Sequence, residues 1–131
     1  MINNNVINGF TVAAGVDELG AIVVQGLPGG ETREISILSN TVSGGYQPDT
    51  DHHAGGIEIK DARDVRVELN KITDYYLGIE LVSVESSNVV DNDVINTAET
   101  SFPAGIVARD ITDTDIQAGR TEGYVESVDR G

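Results

Sequence analysis

Short runs of alternating apolar and polar residues follow one another along the chain. Ile35 and Ile37, Ile57 and Ile59, Val65 and Val67, and Ile79 and Leu81 each stand two apart, with a polar or charged residue between them. Side chains two apart share one face of a strand, so each run predicts a half-buried strand. No window sustains apolar residues at the i, i+3, i+4, i+7 spacing of an amphipathic helix. Gly, Asn and Asp punctuate the runs, and the pattern as a whole predicts an all-β chain.

The runs repeat around asparagines. Relative to Asn70, apolar residues lie five before (Val65), three before (Val67) and two after (Ile72). Ile35, Ile37 and Val42 keep the same offsets from Asn40. Val89 and Val94 keep two of them from Asn92, with Ser87 in the remaining place. Asn4 fits with Met1 three before and Val6 two after. A small residue followed by a β-branched one opens a further run at Ala21-Ile22, Gly56-Ile57, Gly78-Ile79 and Gly105-Ile106. Ile57 to Asn70 and Ile79 to Asn92 both span 13 residues, while Ile22 to Asn40 spans 18, which places an insertion near residues 26–30. The stretch from each asparagine to the next opening varies and is shortest after Asn70.

A period of this size with one constant and one variable arc predicts a solenoid of about four to five coils, each with three short strands. Strand one opens at the Gly-Ile landmark, strand two ends before the asparagine, and strand three follows it. Inward Val and Ile would stack in columns at the parallel strand spacing of about 4.8 Å. The asparagine is expected to tolerate the left-handed backbone of a tight turn, and its amide to bond the asparagines above and below as a ladder of Asn4, Asn40, Asn70 and Asn92. A leucine-rich repeat satisfies the same asparagine offsets. It would need a helix or an extended convex segment after the asparagine, where this chain returns to strand alternation. The coils are expected over residues 1–118, with 119–131 as a frayed coil or tail. Met1 already holds a core offset and the last residues fade, which predicts a fragment of a longer solenoid or a chain that covers its ends by oligomerising.

Composition sharpens this picture. Val and Ile number 29 against 6 Leu, and β-branched residues fit a pleated surface. The 22 acidic residues outnumber the 8 basic ones for a net charge of −14, which argues against nucleic acid or anionic membrane as the main partner. It favours solubility, cation binding or a salt-rich setting. Cysteine is absent, so disulfides and thiolate metal sites are excluded. The opening MINNN lacks the basic and apolar segments of a signal peptide, and no apolar run is long enough to span a membrane. The stretch GLPGGE lacks the Lys-Ser/Thr of a phosphate loop, and the GGxGxD calcium repeat is missing, so no cofactor is predicted.

Candidate chemistry gathers on strand one. With Ile57, Ile79 and Ile106 inward, one outward column reads Val23, Glu58, Glu80, Val107 and the next reads Gln25, Lys60, Val82, Arg109. Two carboxylates one strand spacing apart raise a pKa unless a cation intervenes, and Lys60 stands one outward step away. The cluster reads as a general acid/base pair, a metal site or an ion-pair network on a solvated face. The loop GGYQPDTDHHAGG (44–56) flanks it and holds both histidines, His52 and His53, with Asp49, Asp51 and Tyr46. Histidine is the usual proton-transfer residue, and Asp-x-Asp-His-His also carries metal-ligand types. Tyr75 and Tyr76 lie in the shortest loop, where a tyrosine either packs over the coil edge or offers a stacking platform to a sugar.

The segments ISILSNTV (35–42), VRVELNKI (65–72) and SNVVDNDVI (87–95), each paired with a Gly-Ile strand, resemble the right-handed parallel β-helix repeat of the pectin-lyase-like superfamily. The resemblance covers roughly residues 1–110. It implies a right-handed single-stranded β-helix from an extracellular or cell-surface protein that meets a carbohydrate polymer, acting as a binding or structural module. The competing implication is a polysaccharide lyase, epimerase or glycoside hydrolase acting on an acidic glycan. His52, His53, Glu58 and Glu80 would then be catalytic, with Asp51, Lys60, Tyr75, Tyr76 and Arg109 binding substrate. Polygalacturonase signatures are not present, and the Tyr-x-x-Asp-x-Asp-His order is only loosely similar to the constellation of alginate epimerases.

Overall fold

The structure, a computed structural model, describes residues 2–3, 5–10, 20–26, 32–44, 55–75, 77–97 and 102–130. The chain is all-β, with no helix among the described residues. The strands are β1 (Ile2–Asn3), β2 (Val6–Phe10), β3 (Gly20–Gln25), β4 (Arg33–Leu38), β5 (Thr41–Gly44), β6 (Gly55–Glu68), β7 (Lys71–Thr73), β8 (Leu77–Glu85), β9 (Asn88–Ile95), β10 (Phe102–Arg109), β11 (Asp115–Glu122) and β12 (Tyr124–Asp129).

Every pairing between these strands is parallel, and the pairings fall into three rows. The first runs β3–β6–β8–β10–β12. The second runs from β1 to β4, through the second half of β6, to β9 and β11. The third runs β2–β5–β7 and on through the ends of β9 and β11. The sheet is open, with β12 and β2 at its two ends. Residues 119–131, expected as a frayed coil or tail, contribute the end of β11 and all of β12.

The core is built from matched positions on each row. Ile22, Ile57, Ile79 and Ile106 are register partners and buried, as are Ile37, Val67, Val89 and Ile116, and Val42, Ile72 and Val94. Burying each such side chain stabilises the fold by about 1.5–3 kcal/mol before the entropy of ordering it is subtracted. The insertion expected near residues 26–30 falls largely on residues 27–31, outside the described residues. On either side of them Gly26 N–H donates to Lys60 O and Arg63 N–H to Thr32 O.

The long strands are bent by residues in the left-handed region. Three sets recur: Asp61, Ser83 and Asp110; then Glu34, Asp64, Ser86 and Asp113; then Ser39, Leu69 and Asp91, all with φ between 48° and 60°. Asp and Ser suit these corners because a short polar side chain can bond the local backbone. This corrects one expectation. Asn40, Asn70 and Asn92 are not left-handed themselves; the residue before each of these three is.

The ladder runs through the bonds predicted for it. Asn70 Oδ1 accepts from Asn40 N–H (2.9 Å) and Asn40 Nδ2 (3.0 Å). Asn92 Oδ1 accepts from Asn70 N–H (3.0 Å) and Asn70 Nδ2 (2.9 Å). The second Nδ2 hydrogen of each reaches a backbone carbonyl, Ile2 O from Asn40, Ile37 O from Asn70 and Val67 O from Asn92. The first rung needs a correction. Asn4 lies outside the described residues, and the ladder place belongs to Asn5, whose N–H and Nδ2 both donate to Asn40 Oδ1. Pairing aligns Ile2 with Ile37 and Ile7 with Val42, so the offsets expected of Met1 and Val6 are held by Ile2 and Ile7. The strands β5 and β7, directly after Asn40 and Asn70, occupy the place where a leucine-rich repeat needs its helix or convex segment.

Candidate functional site

The first row presents the two outward columns read from the sequence. Val23, Glu58, Glu80 and Val107 are successive register partners, and Asp129 on β12 extends the line. Gln25, Lys60, Val82 and Arg109 form the next. Glu58 and Glu80 therefore stand side by side on adjacent parallel strands.

Their surroundings differ. Glu58 is only 7% exposed. Its side chain lies over the glycines that open two strands. A Cβ at Gly20 would stand 2.9 Å from Glu58 Cγ, and one at Gly55 would stand 3.1 Å from Glu58 Oε1. Without those glycines the side chain would be pushed off the sheet. Glu80 is mostly covered, and Lys60 Nζ reaches its Oε1 at 3.8 Å. Lys60 is thus the intervening cation expected beside the carboxylate pair. A partly exposed pair of this kind contributes up to about 1 kcal/mol. Val107, next in the column, is buried, while Gln25 and Arg109 are exposed. The open part of the face is the Gln25–Lys60–Val82–Arg109 column. It carries two cationic residues, Lys60 and Arg109, whose backbones stand two strand spacings apart, about 10 Å.

The other candidates separate from this group. Asp51, His52, His53 and Tyr76 lie outside the described residues, as do Tyr46 and Asp49. Tyr75 is 1% exposed and belongs to the core, with its ring against Gly44. It therefore packs and presents no face to a sugar. Its hydroxyl is buried without a hydrogen-bond partner among the described residues, and burial pushes the phenol pKa up to about 12. Tyr124, whose hydroxyl donates to the Tyr75 carbonyl, is also pushed up, by burial and then by the Asp74 carboxylate. Among the described residues no group of His, Asp and Glu is arranged to hold a metal ion.

Sequence reasoning placed the columns and missed the burial of Glu58. The available signal was the pair of glycines, Gly20 and Gly55, which are register partners at the head of their strands. No protein-family model, curated protein or solved structure matches the chain.

Proposed function

We propose that the repeats are successive coils of a right-handed parallel β-helix, and that the chain is an extracellular or surface module that binds an extended polysaccharide along the first row. The observation that carries this is the register of β3, β6, β8 and β10, which sets Gln25, Lys60 and Arg109 in one column that Val82 interrupts. A straight polymer lying along the open column would meet Gln25, Lys60 and Arg109 in turn. Lys60 and Arg109 supply donors to sugar hydroxyls or carboxylates, and Glu80 holds the Lys60 ammonium in place.

Affinity electrophoresis through gels containing neutral glycans or uronans tests the reading. Retention in at least one gel is expected, and Lys60→Ala or Arg109→Ala should each weaken it about fivefold to tenfold, a loss of ~1–1.4 kcal/mol. Migration unchanged in every gel contradicts it. A catalytic reading of the same face draws on the adjacency of Glu58 and Glu80, with His52 or His53 as the proton-transfer residue. It predicts turnover of a uronan that Glu80→Gln or His53→Ala abolishes while the β circular dichroism is unchanged.

A further inference from the structure

The open column of the first row alternates in charge. Gln25, Lys60, Val82 and Arg109 are successive register partners on β3, β6, β8 and β10. Along the stack an uncharged residue is followed by a cation, and then the same order repeats. Gln25 and Arg109 are exposed, and Lys60 and Val82 are partly exposed. The neighbouring column adds little to this surface on the inner strands, because Glu58 and Val107 are buried and Glu80 is mostly covered.

The uncharged steps are poor places for an anion. Gln25 Nε2 already donates to Asp61 Oδ2 (3.2 Å), and Val82 has no polar side-chain atom. Asp61 and Asp110 stand at the corner directly after Lys60 and Arg109, in a chain of net charge −14. An anionic group held opposite Gln25 or Val82 would meet no cation at its own step and acidic corners beside it. One held opposite Lys60 or Arg109 meets the cation that offsets them.

Adjacent strands of the row are about 4.8 Å apart, close to the advance of one sugar ring along an extended β-linked glycan. A glycan lying across the strands therefore sets one ring on each strand. We propose that the column takes a glycan in which acidic and neutral sugars alternate. The acidic rings lie at Lys60 and Arg109, and the neutral rings lie at Gln25 and Val82. Val82 meets the C–H face of one neutral ring, and the Gln25 amide oxygen accepts from a hydroxyl of the other. A uronan charged at every ring is repelled at the two uncharged steps, and a neutral glycan leaves both cations without an anion. The proposal rests on the glycan reading above and adds the order of charges along the polymer.

Affinity electrophoresis at one fixed ionic strength tests it with three gels. One holds hyaluronan, in which glucuronate alternates with a neutral N-acetylated amino sugar. The second holds polymannuronate, charged at every ring, and the third holds hydroxyethyl cellulose, which is neutral. Hyaluronan should bind about fivefold more tightly than either of the others. Val82→Lys puts a cation at an uncharged step and should bring polymannuronate level with hyaluronan or ahead of it. Gln25→Lys, at the other uncharged and exposed step, should act alike and serves if Val82→Lys disturbs folding. Asn88→Lys adds the same charge at an exposed second-row position and should leave the ratio unchanged. Equal or stronger binding of the unaltered chain to polymannuronate or to hydroxyethyl cellulose overturns the alternation and leaves the glycan reading standing. So does a ratio that neither Val82→Lys nor Gln25→Lys moves, or that Asn88→Lys moves as far. Unchanged migration in all three gels overturns both.

Discussion

Leu69 holds φ at 59° with its side chain 61% exposed, so it has the strain of the left-handed region without compensating burial. The equivalent corners use Ser39 and Asp91. A non-glycine residue in this region costs of order 1 kcal/mol, and asparagine tolerates it best. Leu69→Asn should therefore raise the denaturant midpoint by an amount corresponding to roughly 0.5–1 kcal/mol; an unchanged or lower midpoint would show that the corner is not strained. Tyr75 presents a second local imbalance, a buried hydroxyl with no hydrogen-bond partner among the described residues. Removing it should cost nothing, so Tyr75→Phe should melt at the same temperature or higher. The same phenol sets an alkaline limit. Its folded pKa of about 12 lies above the ordinary value of about 10, so its contribution is complete below pH 10 and lost as pH climbs through 12. Thermal melts of the unaltered protein should fall over that window, and Tyr75→Phe should flatten the fall.

At the scale of the element, the ladder asparagine is the keystone of the turn between the second and third rows. Asn70 is 1% exposed and makes four bonds to neighbouring repeats, two accepted at Oδ1 and two donated from Nδ2. Asn70→Ala leaves the buried Asn40 N–H, the Asn92 Oδ1 and the Ile37 carbonyl short of a partner. The cost should be on the order of 2–4 kcal/mol, and Asn5→Ala at the exposed end should cost clearly less. Equal losses at the two positions would contradict the ladder. Much of this was legible, because the offsets of Val65, Val67 and Ile72 from Asn70 reflect which side chains point inward. The first rung was not. The run MINNNVI satisfies the offsets from Asn4 and from Asn5 alike, and only pairing with β4 and β5 decides between them. The left-handed residue was misplaced for a related reason. Leucine has no preference for that region, so Leu69 gave no local sign of its backbone.

Across the whole molecule, the stacked repeats bring acidic corners into line. Glu34, Asp64 and Asp113 share one corner and Asp61 and Asp110 another, in a chain of net charge −14. Mutual repulsion of these charges falls as salt shortens the screening length from about 10 Å at 0.1 M. The melting temperature should rise between low and molar sodium chloride; a fall would place the dominant charge effect in ion pairs such as Lys60–Glu80 and Arg63–Glu85. The candidate face was legible to the extent that register is legible. Alternation fixed which residues share a column, so Glu58, Glu80, Lys60 and Arg109 were found together. Alternation carries no information on how deeply an outward side chain is covered, so it gave no sign that Glu58 is nearly inaccessible while Arg109 is open. Everything above depends on the repeats stacking in parallel around a buried ladder. Side-chain amide hydrogen exchange, followed by NMR, tests that stacking most directly. The account predicts that the Nδ2 protons of Asn40, Asn70 and Asn92 exchange only through opening of the sheet, orders of magnitude slower than those of the exposed Asn88. Exchange of the three ladder amides at the rate of Asn88 would contradict it.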